Sequence, residues 1–298
     1  MSLTINHNMM AANTARNLTA SYANLATSTR RLSSGLRINT AADDAAGLAV
    51  REIMRAEVKS LQQGIRNAND AISMIQTADG ALGVIDEKLI RMKELAMQAS
   101  TGTYSSDQRL IIDSEYQAMA SEITRIANST DFNGIHLLNG NLSGASSAHS
   151  GAGLEATGPM KVHFGTGNDS AEDYYYVSIN GSTASSLGVG LGATGTSGKS
   201  ISTQQLAQEA LASLNNAIIS KDKIRANLGA MQNRLQNTIT NLSVQAENTQ
   251  AAESSISDVD VATEMTEFTR QQILTQSAVA MLSQANGLGR LAMQLIGG

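Results

Sequence analysis

Few residues in this chain are spaced for chemistry. Asp258-Val259-Asp260 opens like a calcium loop, in which carboxylates at alternate positions gather around a hard cation. Such a loop then needs Asp or Asn at 262 and Gly at 263, where this chain has Ala262 and Thr263. The oxygen shell cannot close, and the two aspartates read as helix-start residues. The four histidines, His7, His136, His149 and His163, are too widely spaced to share a helical zinc site, and no H-E-x-x-H occurs. Neither a phosphate-cradling G-x-x-x-x-G-K-[ST] loop nor a G-x-S-x-G nucleophile turn is present. Carboxylate pairs such as Glu52/Glu57 and Asp86/Glu87 read as solvated helix faces. With no cysteine, thiol chemistry, disulfides and Cys-based zinc sites are excluded. The expectation is a protein that is not an enzyme and takes no cofactor or metal.

The patterned residues are apolar instead. Near the start, Leu18, Tyr22, Leu25, Thr29, Leu32 and Leu36 alternate spacings of four and three. Near the finish, Leu274, Ala278, Met281, Ala285, Leu288, Ala292 and Leu295 do the same. That spacing keeps a narrow apolar seam on one side of a helix, as in helices that pack lengthwise on one another. The expectation is that both seams stay uncovered until neighbouring copies cover them. Aromatic residues are only 3% and Trp is absent, so the core is built from small and aliphatic side chains that suit closely approaching helices. A single proline, Pro159, leaves the rest of the chain free of the strongest helix breaker. The net charge of −5 is spread without a basic stripe, which argues against nucleic acid. No secretory signal and no membrane-length apolar run is visible, so the chain is expected to be cytosolic or exported by another route.

Between the seams, a helix is predicted from about 43 to 100, with Thr40 and Asp43 as its N-cap pair. Fifty-odd helical residues span roughly 80 Å at ~1.5 Å each, which implies a rod. A third helix opens at Asp107 and ends before Asp131-Phe132-Asn133-Gly134, where Asn-Gly signals a turn. Fourteen of the 25 glycines then lie between Gly134 and Gly198. Met160–Phe164 and Tyr174–Ile179 alternate like two strands of a hairpin. Helix resumes near Thr203 and runs to about 255. The predicted fold is mainly α, a long antiparallel helical rod or coiled-coil bundle from both chain ends, with a small β-hairpin region in the middle.

Particular words carry a resemblance. Leu32-Ser33-Ser34-Gly35-Leu36-Arg37-Ile38-Asn39, then Asp43-Asp44-Ala45-Ala46-Gly47-Leu48-Ala49, resembles the N-terminal signature of bacterial flagellin, as does Phe132-Asn133-Gly134 followed by Leu137-Leu138. Gln232-Asn233-Arg234-Leu235, Glu247-Asn248, Ser255-Ile256 with Asp258 and Asp260, and Gln284-Ala285-Asn286 are similar to its C-terminal region. The likeness covers about 1–143 and 200–298.

It implies an inner terminal-helix coiled-coil domain (1–39 with 258–298), disordered in the monomer and folded on assembly. It implies a helical rod domain (40–143 with 200–257) and a short variable region of hairpin and loops (144–199). The implied function is a structural subunit that leaves the cell unfolded through flagellar type III export and self-assembles into the extracellular filament for motility. The hook–filament junction protein and a coiled-coil type III secretion factor are the alternatives. The implied partners are further copies of the chain, an export chaperone, and the hook-associated junction and cap proteins. Animal Toll-like receptor 5 is a further implied partner, with Arg91, Leu95 and Glu115 as contacts and Ile90 where the family usually has a polar residue. Serines and threonines of the middle are implied carriers of O-linked glycans, as in some flagellins.

Overall fold

The computed structural model describes residues 7–143, 158–170, 172–190 and 199–296, with side chains described as far as 287. Its elements are α1 (Met9–Ser34), α2 (Ala45–Ala99), α3 (Ser106–Ser129), β1 (Asp131–Phe132), β2 (Ile135–His136), β3 (Met160–His163), β4 (Tyr174–Val177), α4 (Gln204–Ser257) and α5 (Val261–Ile296). The fold is mainly α with a small β region. Two compact units divide it, one formed by Met1–Val58 with Glu247–Gly298 and the other by Lys59–Ala246.

Local chemistry sets the helix ends. Asn8 caps α1 by accepting from the Ala11 N–H, and Gly35 ends it in the left-handed region at φ 72°. That cap stops the helix one residue before Leu36, so the predicted seam leaves helical geometry there. Asp44, not the Thr40–Asp43 pair, caps α2, its Oδ1 accepting from the Gly47 N–H at 2.9 Å. Asp43 instead closes the preceding turn, accepting from the Thr40 N–H at 2.9 Å and the Thr40 hydroxyl at 3.0 Å. Ser105 and Gln108 form a full capping box at the start of α3. Arg109 then donates back to the carbonyls of Ala99 (2.9 Å) and Thr101 (2.8 Å), which the end of α2 leaves open.

Residues 59–246 form a three-helix bundle. On α2, Ala68, Ala71, Ile75, Ala78, Leu82, Ile85, Leu89, Met92, Ala96 and Ala99 repeat at threes and fours, each at most 5% exposed. Tyr116, Ala120, Ile123 and Ala127 of α3 and Ala207, Ala210, Leu214, Ala217, Ile224 and Leu228 of α4 continue the same core. One position of the α4 row is charged. Lys221 is buried there and donates to Asp86 at 2.6 Å and Asp222 at 2.7 Å. Burial works against its charge, but the bonds to Asp222 and Asp86 outweigh it and hold the ammonium above its ordinary pKa. One heptad along α2 from Asp86, Asp79 accepts from Arg225 at 2.7 Å, so two ion pairs join the antiparallel α2 and α4.

Two hairpins close the bundle. Asn133 and Gly134 both have positive φ (50° and 80°), the requirement of the two-residue turn that joins β1 to β2. β3 and β4 pair antiparallel, with Met160 opposite Val177 and His163 opposite Tyr174. Gly64 lets this hairpin approach α2, because a Cβ there would lie 2.0 Å from the Phe164 carbonyl oxygen. Asn67 donates to the His163 carbonyl at 2.8 Å, and the Arg234 guanidinium lies 3.5 Å over the Tyr175 ring. Val162 and Val177 join the main core and Phe164 packs with Leu61, Leu242 and Ala246, so apolar burial seats the hairpin and Gly64 and Asn67 set its closeness to α2. Of the implied variable region 144–199, residues 144–157, 171 and 191–198 lie outside the described residues.

Candidate assembly surface

In the unit of the two chain ends, α1 packs on α5. Its inward row on α1 is Ala11, Thr14, Leu18, Ser21, Leu25, Ser28 and Leu32, a strict three-four repeat. On α5 the inward row is Glu264, Phe268, Gln271, Thr275, Ala278, Leu282 and Ala285. The best-buried members are small or polar: Ser28 at 3% exposure, Ala285 at 5%, and Gln271 and Thr275 at 7% each. Gln271 donates to Glu267 at 2.6 Å and Thr275 to the Gln271 carbonyl at 2.7 Å, so both polar groups are satisfied along their own helix. Asn8 crosses to donate to the Ala285 carbonyl at 2.8 Å, and Arg31 pairs with Glu264 at 3.6 Å.

The seams expected from sequence are thus split. Leu18, Leu25, Leu32 and Ala278 are half-buried, and Ala285 is buried, inside the α1–α5 pair. In this structure these positions pair within one copy, as a helical hairpin of the chain's own two ends does. Tyr22 (52% exposed), Leu274 (47%) and Met281 (58%) point outward, joined by Met265, Ile273 and Val279. The reason is geometric. A row displaced by one residue turns about 100° around a helix, and shape selects the Ser28–Thr275 row because small side chains let backbones approach. Polar types at 21, 28, 271 and 275 hid that row from an apolar search; its three-four spacing of small residues was the available signal. Leu288 and Leu295 belong to α5, and their side chains lie outside the described residues.

The two signature segments meet. Leu36 bridges Asp258 antiparallel. The Arg37 N–H donates to the Ser257 carbonyl at 2.7 Å, and the Val259 N–H donates to the Gly35 carbonyl at 3.0 Å. The Arg37 guanidinium donates to the Ile256 carbonyl at 2.6 Å, where a cation meets the negative end of α4. Arg51 donates to the Ile38 carbonyl at 2.8 Å, and Ile38 is 2% exposed. Gly47 leaves room for it, since a Cβ there would lie 2.7 Å from the Ile38 Cδ1. Asp258 accepts from the Ser254 and Ser257 hydroxyls. Asp260 caps α5 through the Thr263 hydroxyl at 2.8 Å and the Ala262 N–H at 3.0 Å. Its bonds to Thr263, hydroxyl first and backbone next, hold its carboxyl below the ordinary value. Asp260 has the helix-start role read from its spacing; Asp258 does not, since it follows the last residue of α4 and accepts from that helix's serines.

Two family models match this chain: the bacterial flagellin N-terminal helical region at residues 5–143 and the C-terminal helical region at 211–296. The chain belongs to the bacterial flagellin family. It is 40% identical to Flagellin FlaB2 of Treponema pallidum over 98% of its length and 99% of the relative's. It is also 40% identical to a flagellin of Halalkalibacterium halodurans, with the same coverage. Among solved structures, that of Bacillus cereus flagellin is 29% identical, with a TM-score of 0.47, and covers 63% of this chain and 94% of that one.

In this flagellin the three residues implied as receptor contacts do not share one surface. Arg91 on α2 pairs with Glu115 on α3 at 2.8 Å, both exposed. The Glu115 bond leads the causes that raise the Arg91 pKa, with the Glu94 bond second. Leu95 is 1% exposed and belongs to the bundle core. Its place in the three-four row of α2 puts it among the core residues and not beside the exposed Arg91–Glu115 pair. Beside the Arg91–Glu115 pair, Ile90 and Met97 are exposed at 48% and 57%. Among the described residues no group of three or more His, Asp or Glu is placed to hold a metal, and no helix is long and apolar enough to cross a membrane.

Proposed function

We propose that this flagellin, a structural subunit of the flagellar filament, makes its subunit contacts through the outward faces of α1 and α5. One observation carries the assignment of that surface. The α1–α5 pair buries small and polar residues inside while Tyr22, Met265, Ile273, Leu274 and Met281 stand in solvent. Burying each such large side chain contributes about 1.5–3 kcal/mol, so lateral association covers what one copy leaves open. Packing helices lengthwise then makes the subunit's work mechanical. Relatives of the same length are named as flagellar filament core proteins, such as one of 33 kDa in Treponema phagedenis, which supports the same reading.

Location and partners follow from that function. The filament lies outside the cytoplasm, so the chain passes the flagellar type III export route, with a chaperone covering α5 before export. Hook-associated junction and cap proteins meet the filament's two ends. Recognition by Toll-like receptor 5 would use Arg91 and Glu115 together with exposed Ile90 and Met97, and not Leu95.

The test is the double variant Leu274→Asp/Met281→Asp. It should unfold at the wild-type temperature yet form no filaments when seeded, as seen by electron microscopy. Normal filaments from this variant would remove the outward face from the subunit contact.

A further inference from the structure

Methionine carries all the sulfur of this chain, which has 13 methionines and no cysteine. Thioethers are therefore the chain's readily oxidised groups. The structure sorts them by access. Met74 and Met92 are buried in the bundle at 1% and 0% exposure, whereas Met265 and Met281 on α5 are open at 47% and 58%. Both stand on the outward apolar face with Ile273 and Leu274. Met265 also lines, with those two residues, a shallow depression of about 530 Å³. A sulfoxide at either position places a strong, hydrated dipole on a surface that subunit association must desolvate.

We infer that Met265 and Met281 form a reversible oxidation site that controls assembly, with peroxide as the oxidant; this rests on the filament-subunit reading. The thioether sulfur attacks one peroxide oxygen with its lone pair, and the O–O bond breaks as the S–O bond forms. The sulfur loses two electrons, and the departing hydroxide takes up a proton to become water. The α1–α5 pair survives, because its inward row holds Ser28, Gln271 and Thr275 and no methionine. Oxidised subunits stay folded and do not join. Methionine sulfoxide reductases return the thioether, and a thiol reductant disturbs nothing else in a chain without disulfides.

The experiment treats the full-length monomer with graded hydrogen peroxide, maps sulfoxides by peptide mass spectrometry, and measures seeded polymerisation. Met265 and Met281 should oxidise at least about tenfold faster than Met74 and Met92. Polymer yield should fall at least about fivefold with the thermal unfolding midpoint unchanged, and both reductases together should restore it. In the Met265→Leu/Met281→Leu chain, peroxide should lower polymer yield by less than about twofold relative to that chain's own untreated yield. Equal oxidation of buried and exposed methionines, or undiminished polymerisation of oxidised wild type, overturns the switch alone. Peroxide sensitivity that persists in the double-leucine chain also overturns it. Failure of untreated wild type to polymerise overturns the filament reading, and the switch with it.

Discussion

The three-helix bundle of 59–246 and the paired chain-end helices use the same three-four spacing for opposite ends. In the bundle the inward row holds large side chains such as Leu82, Ile85, Leu89 and Met92, each fully buried. In the α1–α5 pair the inward row is narrow, and Ser28, Gln271 and Thr275 are among its best-covered members. The large residues Ile273, Leu274, Val279 and Met281 lie outside it. The bundle therefore has a closed core of large residues in one copy, although Ile111 and Ile219 stay exposed on its surface, while the end helices pair through a narrow row and leave large residues outside it. Periodicity alone announces a helix-to-helix seam; residue size along the seam says whether that seam is finished.

The contrast is most easily broken by protease. Limited proteolysis of the monomer should cut α1 and the far end of α5 at least about tenfold faster than any bond in 59–246, because little large apolar surface resists their opening. Equal cutting rates in both units would show that the pair is as well closed as the bundle.

Core truncation should separate the units next. Leu89→Ala removes a fully buried side chain and should cost about 2–5 kcal/mol in chemical unfolding of the bundle. Leu25→Ala, at a half-buried position, should cost under about 1.5 kcal/mol. Similar losses would mean that the α1–α5 seam packs like a core.

A smaller effect tests how the hairpin is seated. Gly64→Ala puts a methyl on the Phe164 carbonyl, and should loosen β3–β4 from α2 at a cost of about 1–3 kcal/mol. Faster amide exchange confined to 160–177 would register it. A Gly64→Ala chain with wild-type exchange there would mean that α2 yields instead.

The weakest expected effect is that of acid on the bundle. The Arg225 bond holds the Asp79 carboxyl below its ordinary value of 3.8. The ionised form is favoured in the folded chain, so its contribution is complete above that value and fades as pH falls through the folded pKa. Exposure at the pair keeps it small. Asp79→Asn should flatten the acid side of the bundle's stability profile slightly, and an unchanged profile would assign acid sensitivity to other carboxylates. Asp260, exposed and held below its ordinary value by its Thr263 bonds, should affect the start of α5 in the same direction.

Local rules made much of the fold legible. Heptad spacing located the long helices, one proline in 298 residues permitted their length, and Asn133-Gly134 specified its turn, because each depends on neighbours in the chain. Alternation located the two strands of the β3–β4 hairpin in the same way, and only the structure gave their register. The α2 cap was missed by one residue, since Asp43 and Asp44 are chemically alike and only backbone geometry tells which faces the Gly47 N–H.

The amino-acid sequence by itself determined that long helices run from both ends and that the two signature words are special. Tertiary structure decided what those words do: Leu36 and Arg37 pair with the Ser257–Val259 strand of chain, a contact more than 200 residues away. It also decided that Leu95 and Lys221 face inward while Leu274 and Met281 face outward. A helix with apolar residues around much of its circumference offers several seams of equal period. Only the shape and closeness of the opposing helix can choose among them.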